Sequence, residues 1–124
     1  MQVHTGNILI LILKKQDLDS EKCKSMRTEI CTAIKNKNLL EFKYKERTRI
    51  VEPHTLGINL KDNEVLSAYQ VDSESDSIEI PDWGLFSISK ISSLKILGET
   101  FDQPRFFEGF NRNSSKMKTI ICEL

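Results

Sequence analysis

At residue 39 the apolar pattern of this chain changes period. Before it, Cys23, Met26, Ile30, Ala33 and Ile34 recur at spacings of three and four, which places them on one stripe of an amphipathic helix over residues 20–36. Capping residues at 17–20 and Glu21 suit its start. Lys35 and Lys37 suit the negative end of its dipole, and Asn36 and Asn38 suit its stop. From Leu39 the period is two. Leu40, Phe42 and Tyr44 alternate with Glu41, Lys43 and Lys45, the pattern of a strand with one face buried. A chain that makes this switch once and then keeps to short strand-like runs is expected to pack one helix on a sheet.

The runs that follow are separated by turn chemistry. Lys45, Glu46 and Arg47 read as a turn into a second strand over 48–52, closed by Pro53, which cannot donate to a ladder. Lys61, Asp62 and Asn63 read as the next turn. Residues 64–71 carry Leu66 and Ala68 on one side and Val65, Tyr69 and Val71 on the other, the composition of a central strand buried on both faces. Residues 72–82 hold five acids and no base and read as a solvated loop. Two strands at 84–88 and 91–97, joined tightly at Ser89 and Lys90, and a last strand at 117–124 complete the set. The expected fold is mainly β with one N-terminal helix, a small barrel or sandwich. The expected organisation is an N-terminal strand or arm over 1–19 and a helix-plus-barrel unit over 20–124, one domain in all.

A length of 124 residues fits one core. The net charge is zero, yet residues 1–61 hold 12 bases against 7 acids, and residues 62–124 hold 6 against 11. One face can therefore attract a polyanion although the total does not. Cys23, Cys31 and Cys122 are odd in number and have no close pair, so no disulfide framework is expected; each reads as a small buried residue in a reducing, cytoplasmic setting. The apolar run at 8–13 is six residues long and too short to span a membrane, which takes about 20. It reads as a buried strand or as an arm that pairs with another subunit. The chain holds no Gly-rich phosphate loop, no paired-cysteine motif, no His-Glu-x-x-His and no Gly-x-Ser-x-Gly, and only two histidines, His4 and His54. No catalytic residue, metal ligand or cofactor is assigned.

Several segments, taken in order, carry a resemblance. Ala33-Ile34, Leu40-Glu41-Phe42-Lys43-Tyr44, the run at 49–57 (Arg-Ile-Val-Glu-Pro-His-Thr-Leu-Gly), the run at 66–71, Trp83-Gly84-Leu85-Phe86 and the run at 91–94 resemble the WYL domain. The tail from Phe101 to Arg105 is similar to that of small stand-alone bacterial WYL-like proteins. The resemblance spans about residues 30–107. It implies an Sm-like, SH3-type five-stranded β-barrel preceded by a helix, acting as a ligand-sensing module for nucleic acids or nucleotides. It also implies a setting in transcription regulation, phage defence or a CRISPR accessory role. Three departures stand out. The triplet that names the family reads Glu64-Val65-Leu66, and the Arg often found two residues before the barrel Phe is Gly84. No helix-turn-helix unit precedes the barrel.

The first hairpin supplies the cations for such a role. Lys43, Lys45, Arg47 and Arg49 are expected at outward-facing and turn positions, with Lys35 and Lys37 approaching from the helix end. Together with Lys90 and Arg105 they can contact phosphates, and Tyr69 or Trp83 can stack on bases. Arg49 near Glu52 reads alternatively as a surface ion pair. Phe106, Phe107 and Phe110, in a segment with Gly and Asn, are the aromatics expected to be exposed. The expected function is binding of single-stranded RNA or DNA, or of a nucleotide-like anion, without covalent chemistry and without a membrane. The alternative is a structural or regulatory interaction module, a homodimer through Ile8, Leu11 and Leu13 or through Phe106 and Phe107.

Overall fold

The computed structural model describes residues 24–73 and 82–124. The apolar arm at 8–13, Cys23 and most of the acidic stretch lie outside the described residues. Helix α1 occupies residues 24–36 and buries Met26, Ile30, Ala33 and Ile34, the stripe its spacing predicts. Lys37, rather than a flanking Asn, ends it. Its φ of 57° turns the chain left-handed while its N–H bonds the Ile34 carbonyl oxygen at 3.2 Å.

Strands β1 (Asn38–Tyr44) and β2 (Arg47–Asn59) form a hairpin with a two-residue turn. Both turn residues, Lys45 (φ 51°) and Glu46 (φ 63°), take the left-handed conformation that such tight turns demand. This is one residue shorter than the turn expected from Lys45 to Arg47, and a one-residue slip exchanges the two faces of a strand. Tyr44 pairs Arg47 and Phe42 pairs Arg49. Arg49 therefore shares the face of Phe42 and points inward, which corrects its expected outward position.

β2 also runs past Pro53, where the sequence suggested a stop. Its pairing with β1 ends at Val51, and β6 joins on the same edge only from Thr55. Pro53 sits in that gap, where there is no ladder partner to lose. The register to β3 (Glu64–Ser73) slips between Pro53 and Thr55, leaving His54 as an extra, bulged residue. β3 lies between β2 and β4 (Asp82–Ser87), as a strand apolar on both sides should. A 3₁₀ turn, Ile88–Lys90, replaces the tight link expected there and leads into β5 (Ser92–Thr100). β6 (Met117–Glu123) pairs the far half of β2. Gly57 permits that approach, since a Cβ there would strike the Thr119 carbonyl oxygen.

Among the described residues the result is mainly β with one helix: an antiparallel six-stranded sheet, β4-β3-β2-β1-β5, with β6 added to β2. No β4–β5 pairing closes it, so the sheet is open. The inner face packs Leu40, Phe42, Tyr44, Val51, Leu56, Leu66 and Phe86 against α1. Phe42, Tyr44 and Phe86 meet edge to face, with centroids 5.0–6.5 Å apart.

The cysteine reading is corrected. Cys31 on α1 and Cys122 on β6 form a disulfide across 91 residues, with Cα atoms 5.8 Å apart. Each cysteine was read as a separate small buried residue, and only the packing of α1 against β6 brings Cys31 and Cys122 together. The cysteine count therefore no longer argues for a reducing compartment. No helix among the described residues is long and apolar enough to cross a membrane.

Candidate anion and nucleic-acid interface

The hairpin end gathers most of the cations expected to bind an anion. Lys43, Lys45 and Arg47 are exposed, and among the described residues no carboxylate lies within ion-pairing distance of them. Lys45 lies over the Tyr44 ring, its Nζ 5.9 Å from the centroid. Lys90 joins them because it ends the 3₁₀ turn two residues before Ser92, which pairs Lys43. Lys90 is exposed too. Lys35 and Lys37 do not approach this end. They sit at the opposite end of β1, about 20 Å away for seven residues of strand, and Lys37 Nζ donates to the Asp102 carbonyl oxygen at 3.3 Å.

Arg49 sits behind this patch and is only 8% exposed. It makes no pair with Glu52, which an odd spacing along the strand sends to the other face. Its Nη1 donates to Gln70 Oε1 at 2.9 Å and its Nη2 to the Tyr44 carbonyl oxygen at 3.4 Å. The guanidinium carbon lies 5.8 and 5.9 Å from the Tyr44 and Phe86 ring centroids. Its Nε–H is buried without an acceptor. Burial, and then the nearby Arg47, push its pKa below the ordinary arginine value. At Gly84 the space a side chain would take is filled by the Phe86 ring, which a Cβ would strike.

Tyr69, Trp83 and Arg105 form a second cluster on the outer face. Glu52 pairs Tyr69, and Tyr69 pairs Trp83, so all three residues share that face. Arg105 clamps the 4% exposed Glu52 with two bonds, Nε to Oε1 at 2.7 Å and Nη2 to Oε2 at 2.8 Å. Its guanidinium lies 4.5 Å from the Tyr69 ring centroid. The Glu52 carboxylate raises the Arg105 pKa further above its usual range. Trp83 is half-buried and its Nε1–H donates to the Glu108 carbonyl oxygen at 2.6 Å. Arg105 and Tyr69 are thus engaged by the protein itself, and the half-buried Trp83 also packs against His54, Tyr69 and Phe110.

His54 lies at the centre of that cluster, with no exposure. Nδ1–H donates to the Glu52 carbonyl oxygen at 2.8 Å, and Nε2 accepts the Arg105 backbone N–H at 3.0 Å. One neutral tautomer satisfies both contacts. Trp83, Phe101 and Phe110 pack around the ring at 4.8–5.6 Å. Burial pulls the His54 pKa below its ordinary value, partly offset by the Glu52 carbonyl and carboxylate. Phe110 is therefore buried, not exposed as expected, whereas Phe106 is half-exposed and Phe107 fully exposed.

Sequence reasoning missed the Glu52, His54 and Arg105 cluster. Its one local signal was a pair of ionisable residues flanking Pro53 inside an otherwise apolar run; the partner stands 53 residues away. Beside the cluster a groove of about 540 Å³ opens over Trp83, Leu85, Thr55, Ser67 and Lys116. Among the described residues no group of His, Cys, Asp and Glu is arranged to hold a metal ion. Compared with protein-family models, curated proteins and solved structures, the chain matches none.

Proposed function

We propose that this protein is a small binding module for single-stranded nucleic acid or a nucleotide-like anion, with the basic hairpin end as its contact surface. One observation carries the reading: Lys43, Lys45, Arg47 and Lys90 meet at one end of the sheet, exposed, and among the described residues none has a carboxylate partner. The turn supports it. Lys45 and Glu46 hold left-handed backbone where Asn-Gly would be relaxed, so a cation is kept at the tip at a conformational cost. Lys43 also shares the outer face with Trp83, which gives a strand held by its phosphates an aromatic to stack on.

The WYL-like reading belongs to the same proposal. A helix followed by β1 to β5, with the first of these strands paired to both the second and the fifth, suits an SH3-type barrel whose last seam is open. The resemblance then points to a bacterial regulatory role, in transcription control or as a phage-defence or CRISPR accessory. A cytoplasmic setting would suit a nucleic-acid ligand.

The test is fluorescence anisotropy with labelled oligonucleotides at low salt. Lys43→Glu with Arg47→Glu, both at exposed side chains, is expected to weaken binding at least tenfold with folding unchanged. Equal affinity of the variant and the wild type would refute the hairpin surface. The alternative, a protein-interaction module, draws on the full exposure of Phe107 beside the half-exposed Phe106. It requires that oligonucleotides do nothing and that Phe107→Asp lowers the mass seen by light scattering.

A further inference from the structure

Arg49 raises a question that the exposed cations do not. A guanidinium offers five N–H donors. Here two bonds reach neutral acceptors, Gln70 Oε1 and the Tyr44 carbonyl oxygen, and the buried Nε–H reaches none. Among the described residues no carboxylate balances the charge. A charge taken out of water is tolerated when it is paired, and this one is held only by amide, carbonyl and its position over two aromatic rings. Contrast Arg105, whose fork is filled by Glu52. Arg49 is the arginine of the pair left with capacity to bind.

Its surroundings define what would fit. The residue is only 8% exposed, so at most one small end group, and not a continuous backbone, can reach it. The exposed Arg47 lies close enough to act on its charge, Lys45 lies over the same Tyr44 ring, and both raise the local potential for anions. A phosphate monoester carries more charge near neutral pH than the single charge of an internal diester, and it presents three oxygens to a guanidinium fork.

We propose that Arg49 is the receptor for a terminal phosphate, the free end of a single strand or of a mononucleotide that the basic hairpin attracts. This rests on the reading of the hairpin as an anion surface and narrows it. Internal phosphodiesters meet Lys43, Lys45, Arg47 and Lys90 outside, while the terminal group is held deeper by Arg49. Gln70 and the Tyr44 carbonyl set the plane of the fork.

The experiment compares one short oligothymidylate in three forms, 5′-phosphate, 3′-phosphate and both ends hydroxyl, with a mononucleotide as competitor, by anisotropy at low salt. One phosphorylated end should bind the wild type at least tenfold tighter than the hydroxyl form. Arg49→Lys, which keeps the charge but not the fork, should erase that preference while leaving the hydroxyl form bound. Arg47→Glu should weaken every form alike. Equal binding of phosphorylated and hydroxyl ends by the wild type overturns the proposal and leaves the hairpin reading standing. So does a preference that persists in a folded Arg49→Lys.

Should no oligonucleotide bind, the hairpin reading fails, and Arg49 is then judged with inorganic phosphate and a nucleoside monophosphate in thermal unfolding. A rise in midpoint in the wild type that is absent in Arg49→Gln supports the receptor, and no rise overturns it.

Discussion

His54 shows how much one bulged residue can decide. Its extra place in β2 turns the imidazole out of the ladder and into a socket of Trp83, Phe101 and Phe110, where both ring nitrogens are used. A proton added to Nε2 would meet the Arg105 N–H head on. The folded pKa lies below the ordinary 6.5, mainly because burial disfavours the cation, so the unfolded chain binds the extra proton more readily. Stability from this residue is therefore complete above about pH 6.5 and is lost as pH falls below it toward the folded value. Urea unfolding followed through Trp83, the single tryptophan, is expected to give a lower midpoint at pH 5.5 than at pH 7.5. The difference should shrink in His54→Gln. An unchanged pH dependence in that variant would assign it to other groups. Neither the socket nor the tautomer was legible in the sequence, because Phe101, Arg105 and Phe110 lie about fifty residues downstream.

Between elements, a link across 91 residues joins α1 to β6. Without it, β6 is held by its ladder to the far half of β2 and by Thr55 Oγ1, which donates to Glu123 Oε2 at 2.8 Å. The Cys31–Cys122 bond closes a separation of 91 residues, and loops of that size gain the most from cross-linking in the chain-entropy account. Reduction, or Cys31→Ser with Cys122→Ser, is expected to lower the unfolding free energy by about 2–5 kcal/mol. Denaturant titration with and without reductant measures it, and a loss under about 0.5 kcal/mol would mean that packing alone seats β6. Helix α1 was legible from its stripe, and β1 from its alternation. The β1–β2 turn was legible in place but not in length, since Lys45 and Glu46 lack the Asn and Gly that usually announce a two-residue turn.

For the whole molecule, zero net charge conceals a local group of exposed cations at the hairpin end. The basic hairpin end is exposed, whereas Glu52, one of the few acids near it in sequence, is buried and neutralised by Arg105. Binding through three or four exposed cations to a single strand should show log affinity falling with log salt at a slope of about −2 to −3. Anisotropy between roughly 50 and 200 mM salt measures that slope, and a flat profile would place binding elsewhere, in the groove beside Trp83.

The sequence by itself determined the kinds of element and their order. One helix, five of the six strands with approximate bounds, the turn at Lys61 to Asn63 and the core roles of Phe42, Tyr44 and Phe86 follow from spacing, which is local information. The tertiary structure decided register and closure. It set the turn at two residues and so put Arg49 inside; it left the sheet open; and it brought Glu52 to Arg105 and Cys31 to Cys122. These outcomes depend on which faces can be buried together, a property of the whole packed chain that no short window contains.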